Sequence, residues 1–395
     1  MPRASAPRLA PIAVAAALAL GARARAADTA PSNEHYLLRA ELGPELDTNA
    51  HRTEEVHASG VVNPPAVVSP LARAVVSASL QDLAAEGHQV ACSATVAGKL
   101  FEKPEARSED VGIIETSLAW RAALGETSAS SLSAAYYEAF QRAALDTDYA
   151  NERRDFRSIT AAWRLSRLLG DHTEGGAGVG FRTFVFKPDR SYDFLAPSAA
   201  LDLRWARETA DGAADWEVAA RATYEQRFFY GKALVGETCA TTEMCPPTTG
   251  NAARVDHFAT AALEATRTGR VLVGLGYAFH VNLSNSFGET VTRHFVTGRF
   301  AADLPLGLSL ATRVELLVAH YSDPIYVAET DTAGRPFVSI EDENRSNLRV
   351  DLSHDLGDRL QLLARYTFYT NELATTNVTY RRQTALLFLA YTFEK

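Results

Sequence analysis

The strongest constraint in this sequence is alternation. Between Leu306 and His320, one set of alternate positions holds Leu306, Leu308, Leu310, Thr312, Val314, Leu316 and Val318, and the other holds Gly307, Ser309, Ala311, Arg313 and Glu315. Side chains of an extended chain point alternately to opposite sides, so this period specifies a strand with one apolar and one polar face. The pattern recurs along the chain. Val271, Val273, Leu275, Tyr277, Phe279 and Val281 oppose Gly274, Gly276, Ala278, His280 and Asn282. Trp216, Val218, Ala220 and Ala222 oppose Glu217, Arg221, Thr223 and Glu225, and Leu348, Val350 and Leu352 oppose Arg349, Asp351 and Ser353. Strands of soluble sandwiches usually run about five or six residues. The longest runs here are about twice that, enough for the roughly 9–11 residues of a tilted membrane-crossing strand.

The links between runs give the architecture. Short ones fall at Ala85–Gly87, Gly125–Thr127, Gly170–Gly175, Thr209–Asp215, Arg267–Gly269, Asp303–Gly307 and Asp355–Asp358, and they alternate with longer ones that include His51–Pro70, Gly231–Asn251 and Ser322–Arg345. Tight turns at one end and long loops at the other define a transmembrane antiparallel up-and-down β-barrel, with short periplasmic turns and long external loops. The count predicts an all-β chain of about 16 strands, within 14–18, and an even number leaves both termini in the periplasm. The tryptophans agree. Trp120, Trp163, Trp205 and Trp216 each sit toward the short-turn end of a different strand, at the parity of its apolar residues, where a periplasmic aromatic girdle belongs.

The N-terminus supplies the export route. Arg3 and Arg8 precede an apolar run from Leu9 to Gly21, followed by small residues around Arg23 and Arg25, the pattern of a cleaved signal peptide over 1–26. That run is too short for a helical span, which takes about 20 residues, so an N-terminal anchor is the weaker alternative. The expected organisation is therefore a signal peptide at 1–26, a short periplasmic segment at 27–35 and a barrel over 36–395. The formal charge is −9, and losing those four arginines with no acid leaves −13. An acidic mature chain argues against a nucleic-acid partner. Residues with apolar side chains make up 47% of the sequence, yet past Gly21 they form no run long enough for a membrane helix, so strands must do the spanning.

Two short segments carry resemblances. Leu42-Gly43-Pro44-Glu45-Leu46-Asp47-Thr48-Asn49-Ala50 resembles the Gly-x-x-x-Asp-Ser/Thr-Asn opening of porin-like outer-membrane barrels, including the barrel portion of polysaccharide-export outer-membrane proteins. Unlike those exporters, the chain has no tetratricopeptide repeats before its barrel. The ending Tyr391-Thr392-Phe393 is similar to the C-terminal recognition signal of outer-membrane proteins, departing from it in the added Glu394 and Lys395. The resemblance implies an outer-membrane channel of a Gram-negative bacterium, with a conduit for secreted polysaccharide as its specific form and a general diffusion porin as the alternative. It implies outer-membrane lipids and lipopolysaccharide, the barrel-assembly machinery and periplasmic polysaccharide-export components as partners, and no cofactor.

Parity assigns the interior. Candidate channel-lining residues are Arg39, Glu41, Arg73, Glu115, Arg121, Arg164, Arg182, Asp202, Arg204, Glu217, Arg221, Asp256, Glu264, Arg313, Glu315, Arg349, Asp351 and Arg365, with Glu45, Asp47 and Arg254 on the same faces. Their signs nearly balance, which suits a hydrated passage for neutral or weakly charged polar solutes. The competing reading is a lumen filled by these charges paired across strands. General porins narrow their bore with a long loop after the fifth strand. Here that link, Asp146–Arg154, reads as short, which favours passage of something bulky.

Other chemistry is weakly signalled. Cys239 and Cys245 lie close together in a polar stretch and are expected to form a disulfide in an oxidising compartment. Cys92 reads as an inert buried thiol, and no acid or histidine cluster at metal-ligand spacing accompanies the cysteines, so no metal site is expected. As a third reading, some outer-membrane barrels hydrolyse lipids with a His-x-Ser pair. His280, Asn282 and Ser284 share a face but lack that spacing, and Gly274 and Gly276 mark the face as interior. No catalytic residues are assigned.

Overall fold

The computed structural model describes residues 35–51, 55–56, 66–85, 87–141, 155–187, 190–208, 214–236, 248–322, 346–370, 378–379 and 381–394. Sixteen strands form one closed barrel. They are β1 (His35–Asp47), β2 (Ser69–Ala85), β3 (His88–Phe101), β4 (Val111–Ala123), β5 (Ser128–Gln141), β6 (Phe156–Gly170), β7 (Thr173–Phe186) and β8 (Phe194–Glu208). The series continues with β9 (Ala214–Val235), β10 (Thr248–Arg267), β11 (Val271–Ser284), β12 (Val291–Leu304), β13 (Leu308–Tyr321), β14 (Ser346–Asp355), β15 (Leu360–Thr370) and β16 (Arg381–Glu394). Each pairs antiparallel with its neighbours in sequence, and β1 closes the ring against β16. Closure leaves no strand edge unpaired, the condition for carrying backbone through a bilayer. The 14–18 strands expected from alternation are thus 16.

Register fixes which side chains share a face. Arg39 stands opposite Ser77 and Thr392, and Arg365 opposite Asp351 and Leu386. Following such pairs around the ring places every interior position by parity. The outer face carries leucine, valine and aromatic side chains, with Leu42, Leu118, Leu201, Leu263 and Leu275 each more than half exposed. Soluble monomers rarely show an apolar patch beyond a few hundred Å². A belt of this kind around the whole wall is a surface made for lipid. All four tryptophans sit on it, Trp120, Trp205 and Trp216 near the short turns as the sequence predicts, whereas Trp163 stands midway along β6, with its Nε1 donating to Ser130 Oγ at 2.9 Å. Cys92 also takes outward parity, half-buried between Leu80 and Leu118, rather than a place in an interior core.

The turns correct the sequence reading in detail. Gly87 and Gly125 adopt positive φ (79° and 109°), which reverses the chain within two or three residues. Leu306, expected to begin the lipid face of β13, instead lies in the turn Pro305–Gly307 with φ 69° and ψ 22° and is 88% exposed. β9 and β10 extend further than read, through two register irregularities beyond Phe228, so their link shortens to residues 236–247. The link after β5 is longer than read, because β5 ends at Gln141 and β6 begins at Phe156. A separate two-residue ladder pairs Glu55–Val56 with Val378–Thr379, joining the first and last external links. Residues 1–34 and Cys239 and Cys245 lie outside the described residues.

Candidate functional site: the inner wall

The interior divides into three zones. The first is an ionic lattice along the membrane-spanning height. Arg39 Nε donates to Glu41 Oε1 at 2.8 Å. Arg164 bridges Asp202 (2.5 Å) and Glu174 (3.2 Å), and Arg204 grips Glu217 at 2.8 and 3.1 Å. Arg299 pairs with Glu264 at 2.8 Å, Arg313 pairs with Glu315, and Arg349 and Arg365 converge on Asp351, each at 2.7 Å. Geometry explains the pattern. Positions i and i+2 share a face and project side by side, and a long arginine reaches over the intervening strand to a carboxylate two strands away. None of these pairs joins strands more than two apart. The lattice runs along the wall and does not cross the bore.

Three of the sequence-assigned residues stand outside it. Glu115, Arg121 and Arg221 point inward by register with no ion pair among the described residues. Arg221 sits opposite Asp202, whose carboxylate is already held by Arg164. Arg121 borders a recess at the short-turn end together with Gln89, Glu126 and Glu174.

The second zone is the seam between β1 and β16, and here the Leu42–Ala50 segment acquires a physical role. Asp47 receives Arg382 through Nε at 3.0 Å and Nη2 at 2.6 Å, with both side chains at most 1% exposed. Asn49 N–H donates to Asp47 Oδ1 at 2.9 Å, and Asn49 Nδ2 donates to the Arg381 carbonyl at 3.2 Å. Thr48 exchanges two bonds with Gln383: its N–H donates to the Gln383 carbonyl at 3.0 Å, and its Oγ1 accepts from the Gln383 N–H at 2.8 Å. A Cβ on Gly43 would collide with the Leu387 carbonyl oxygen and Phe388 Cβ, so only glycine lets the strands approach there. Behind it, Glu45 Oε1 accepts from Lys99 at 3.0 Å, and its buried Oε2 faces Arg73 at 3.7 Å without accepting a hydrogen bond.

The third zone is an arc of rings in the half of the bore near the long loops. Tyr137, Phe156, Phe184, Phe194 and Phe229, one from each of β5 to β9, follow one another at centroid separations of 5.4, 5.3, 5.2 and 5.0 Å. Beyond them Phe258, His280 and Phe295, from β10 to β12, are spaced at 5.6 and 4.5 Å. Arginines join the two parts. Arg227 lies 4.1 Å from the Phe258 centroid and 5.5 Å from that of Phe194, while Arg254 lies 4.1 Å from that of Phe229. Arg182 also approaches Phe194, at 5.4 Å. Each guanidinium is held on its other side by a carboxylate: Arg182 and Arg227 by Glu225, Arg254 by Asp256 and Glu289. Such ring contacts contribute about 0.5–1.5 kcal/mol each and fix their members in place.

Asp256 anchors this end. It is fully buried and accepts from Arg254, from Asn282 Nδ2 at 3.2 Å and from Ser284 Oγ at 2.5 Å. Ser284 is therefore tied to Asp256, while His280 packs between Phe258 and Phe295. No base meets the hydroxyl in a nucleophile arrangement at this position.

Sequence reasoning missed Lys99, Glu174, Arg227, Arg299 and Arg382, and it placed Glu225 on a polar face without assigning it to the wall, though all are partners in these networks. Their parity was the available signal. It also missed the arc, because its rings are contributed singly by successive strands.

No protein-family model matches the chain, and no curated protein matches it. Solved structures resemble it in architecture. A TodX monoaromatic hydrocarbon channel variant (deltaS2S3) has a TM-score of 0.36 and 10% identity, over 92% of this chain and 91% of that one. OmpT, an outer membrane protein of Vibrio cholerae, has a TM-score of 0.42 and 12% identity, over 93% and 100%. A bacterial polysaccharide outer membrane secretin has a TM-score of 0.43 and 6% identity, over 91% and 98%.

Proposed function

We propose that this chain is an outer-membrane channel, and more specifically an export conduit for a secreted polysaccharide. The observation that carries the channel reading is the direction of the ion pairs. A lumen filled as a structural plug needs charges that meet across the axis, whereas the lattice Arg164–Asp202, Arg204–Glu217, Arg299–Glu264 and Arg365–Asp351 stays on the wall. Barrels of 16 or more strands are wide enough to hold water inside such a wall. Near-balanced charge disfavours strong ion selectivity and suits an uncharged or weakly charged polar cargo.

The polysaccharide reading adds the opening segment around Gly43, Asp47, Thr48 and Asn49 and a bore rimmed by fixed hydrogen-bonding groups. It entails delivery by a cleaved signal peptide over 1–26, insertion by the barrel-assembly machinery among lipopolysaccharide, and handover from periplasmic export components. A general diffusion porin is the second reading, favoured by the same charge balance. An enzymatic role has the least support, since Ser284 is engaged by Asp256.

Two measurements test the proposal. Purified protein in a planar bilayer should give stable ohmic conductance; a folded barrel that passes no ions overturns the channel. Deleting the gene should retain a polysaccharide in the periplasm of the native host. Unchanged polymer release combined with slower uptake of small solutes would replace export by diffusion.

A further inference from the structure

We infer that the aromatic–arginine arc is a binding track for a neutral sugar chain, the place inside the bore where cargo is held. This rests on the conduit reading and adds a located site to it. Three features of the arc select the ligand class. Its accessible part is a run of half-buried rings, Phe229, Phe258, His280 and Phe295, on the consecutive strands β9 to β12, with Arg227 and Arg254 between the first two and the buried Phe156, Phe184 and Phe194 continuing the arc as its support, so it accommodates an extended ligand. Its charges cancel: Arg182, Arg227 and Arg254 are matched by Glu225, Asp256 and Glu289, which gives a charged polymer no net attraction. Those same groups border the strip with donors and acceptors that a purely apolar solute could not use.

The arc also leaves one donor and one acceptor unmatched. Arg182 Nε has no partner, and neither has Oδ1 of Asn282, a side chain only 6% exposed that stands opposite Phe258. The Asn282 amide cannot be turned to cure this, because its Nδ2 already donates to Asp256 Oδ2 and to the Glu289 carbonyl, both acceptors. A buried polar group left unpaired costs about 1–3 kcal/mol. A ligand with alternating C–H patches and hydroxyls fits this surface: its C–H face lies on the strip while its hydroxyls meet the guanidiniums, carboxylates and Asn282. Carbohydrate is that ligand.

Single-channel recording with maltohexaose as the probe tests this. The sugar should interrupt the wild-type current, and Phe295→Ala and Phe258→Ala should each shorten the interruptions about tenfold, the effect of losing one good ring contact. Leu263→Ala, on the lipid face, should leave them unchanged. Because the arc lies near the long loops, interruptions should also begin more often when sugar is added on that side. Open channels that maltohexaose does not interrupt, or interrupts equally in the ring variants, overturn the track and leave the channel standing. Interruption by benzoate but not by sugar overturns it in favour of an aromatic solute. Absence of conductance in folded wild type overturns the channel itself. Should the alanine variants fail to fold, Phe258→Leu keeps the bulk and removes the ring, and the sidedness of block in wild type decides alone.

Discussion

Asp47 and Arg382 meet across the seam of the barrel in a buried two-pronged pair, with Nη2 2.6 Å and Nε 3.0 Å from the same carboxylate oxygen. The pair sits at the long-loop end of β1 and β16. Thr48, Asn49 and the external ladder between Glu55–Val56 and Val378–Thr379 fasten the same seam.

Removing one partner of this pair should destabilise the barrel more than removing both. Arg382→Met leaves Asp47 buried without its cation, costing about 3–5 kcal/mol, and Asp47→Leu does the reverse. The double substitution exchanges a buried ion pair for apolar contact and should recover most of that loss. Denaturant titration of the refolded barrel in lipid vesicles measures the order; equal losses in all three variants would contradict it.

Gly43 should tolerate no side chain. Gly43→Val places two methyl groups against the Leu387 carbonyl and Phe388, so β1 cannot reach β16. Folded yield, read from the gel mobility shift between unheated and boiled samples, should collapse for valine and fall partially for alanine. Normal yield from Gly43→Val would show that the strands do not approach this closely.

Leu306 offers the opposite experiment. A leucine at φ 69° pays about 1–2 kcal/mol that glycine does not, and this one is almost wholly exposed, with little packing to lose. Leu306→Gly should raise stability by about 1 kcal/mol in the same titration. A loss instead would mean that the exposed side chain is covered in the membrane.

Arg121 and Arg221 are the interior cations without an ion pair among the described residues. Neutralising them together, Arg121→Gln with Arg221→Gln, should shift the reversal potential in a salt gradient toward cation preference without loss of folded protein. The same change at Arg164 should instead impair folding, since Asp202 and Glu174 would lose their shared partner. If both sets behave alike, pairing does not distinguish structural from free charges in this wall.

The barrel was legible in the sequence because alternation is a local property. Val271 to Asn282 or Leu348 to Ser353 reveals its two faces without knowledge of any neighbour, and the interior charges follow from the same parity. Pairing is not local. Nothing near Arg164 indicates that its carboxylates come from Glu174 and from Asp202, one and two strands on, because strand stagger decides which heights meet. The arc escaped for the same reason: Phe156, Phe184 and Phe194 are separate aromatics until register aligns them. Leu306 was misplaced because its hydrophobicity continues the β13 pattern, while Pro305 and Gly307 force a reversal there.

The seam clasp carries a meaning for biogenesis. Its two residues are 335 positions apart, so it draws together almost the first and almost the last parts of the barrel to be made. A chain truncated anywhere before Arg382 lacks the strand that covers the β1 edge, so Asp47 is left without its cation on an unpaired edge. Closure of the ring, and burial of its innermost ion pair, thus wait on the last strand to be made.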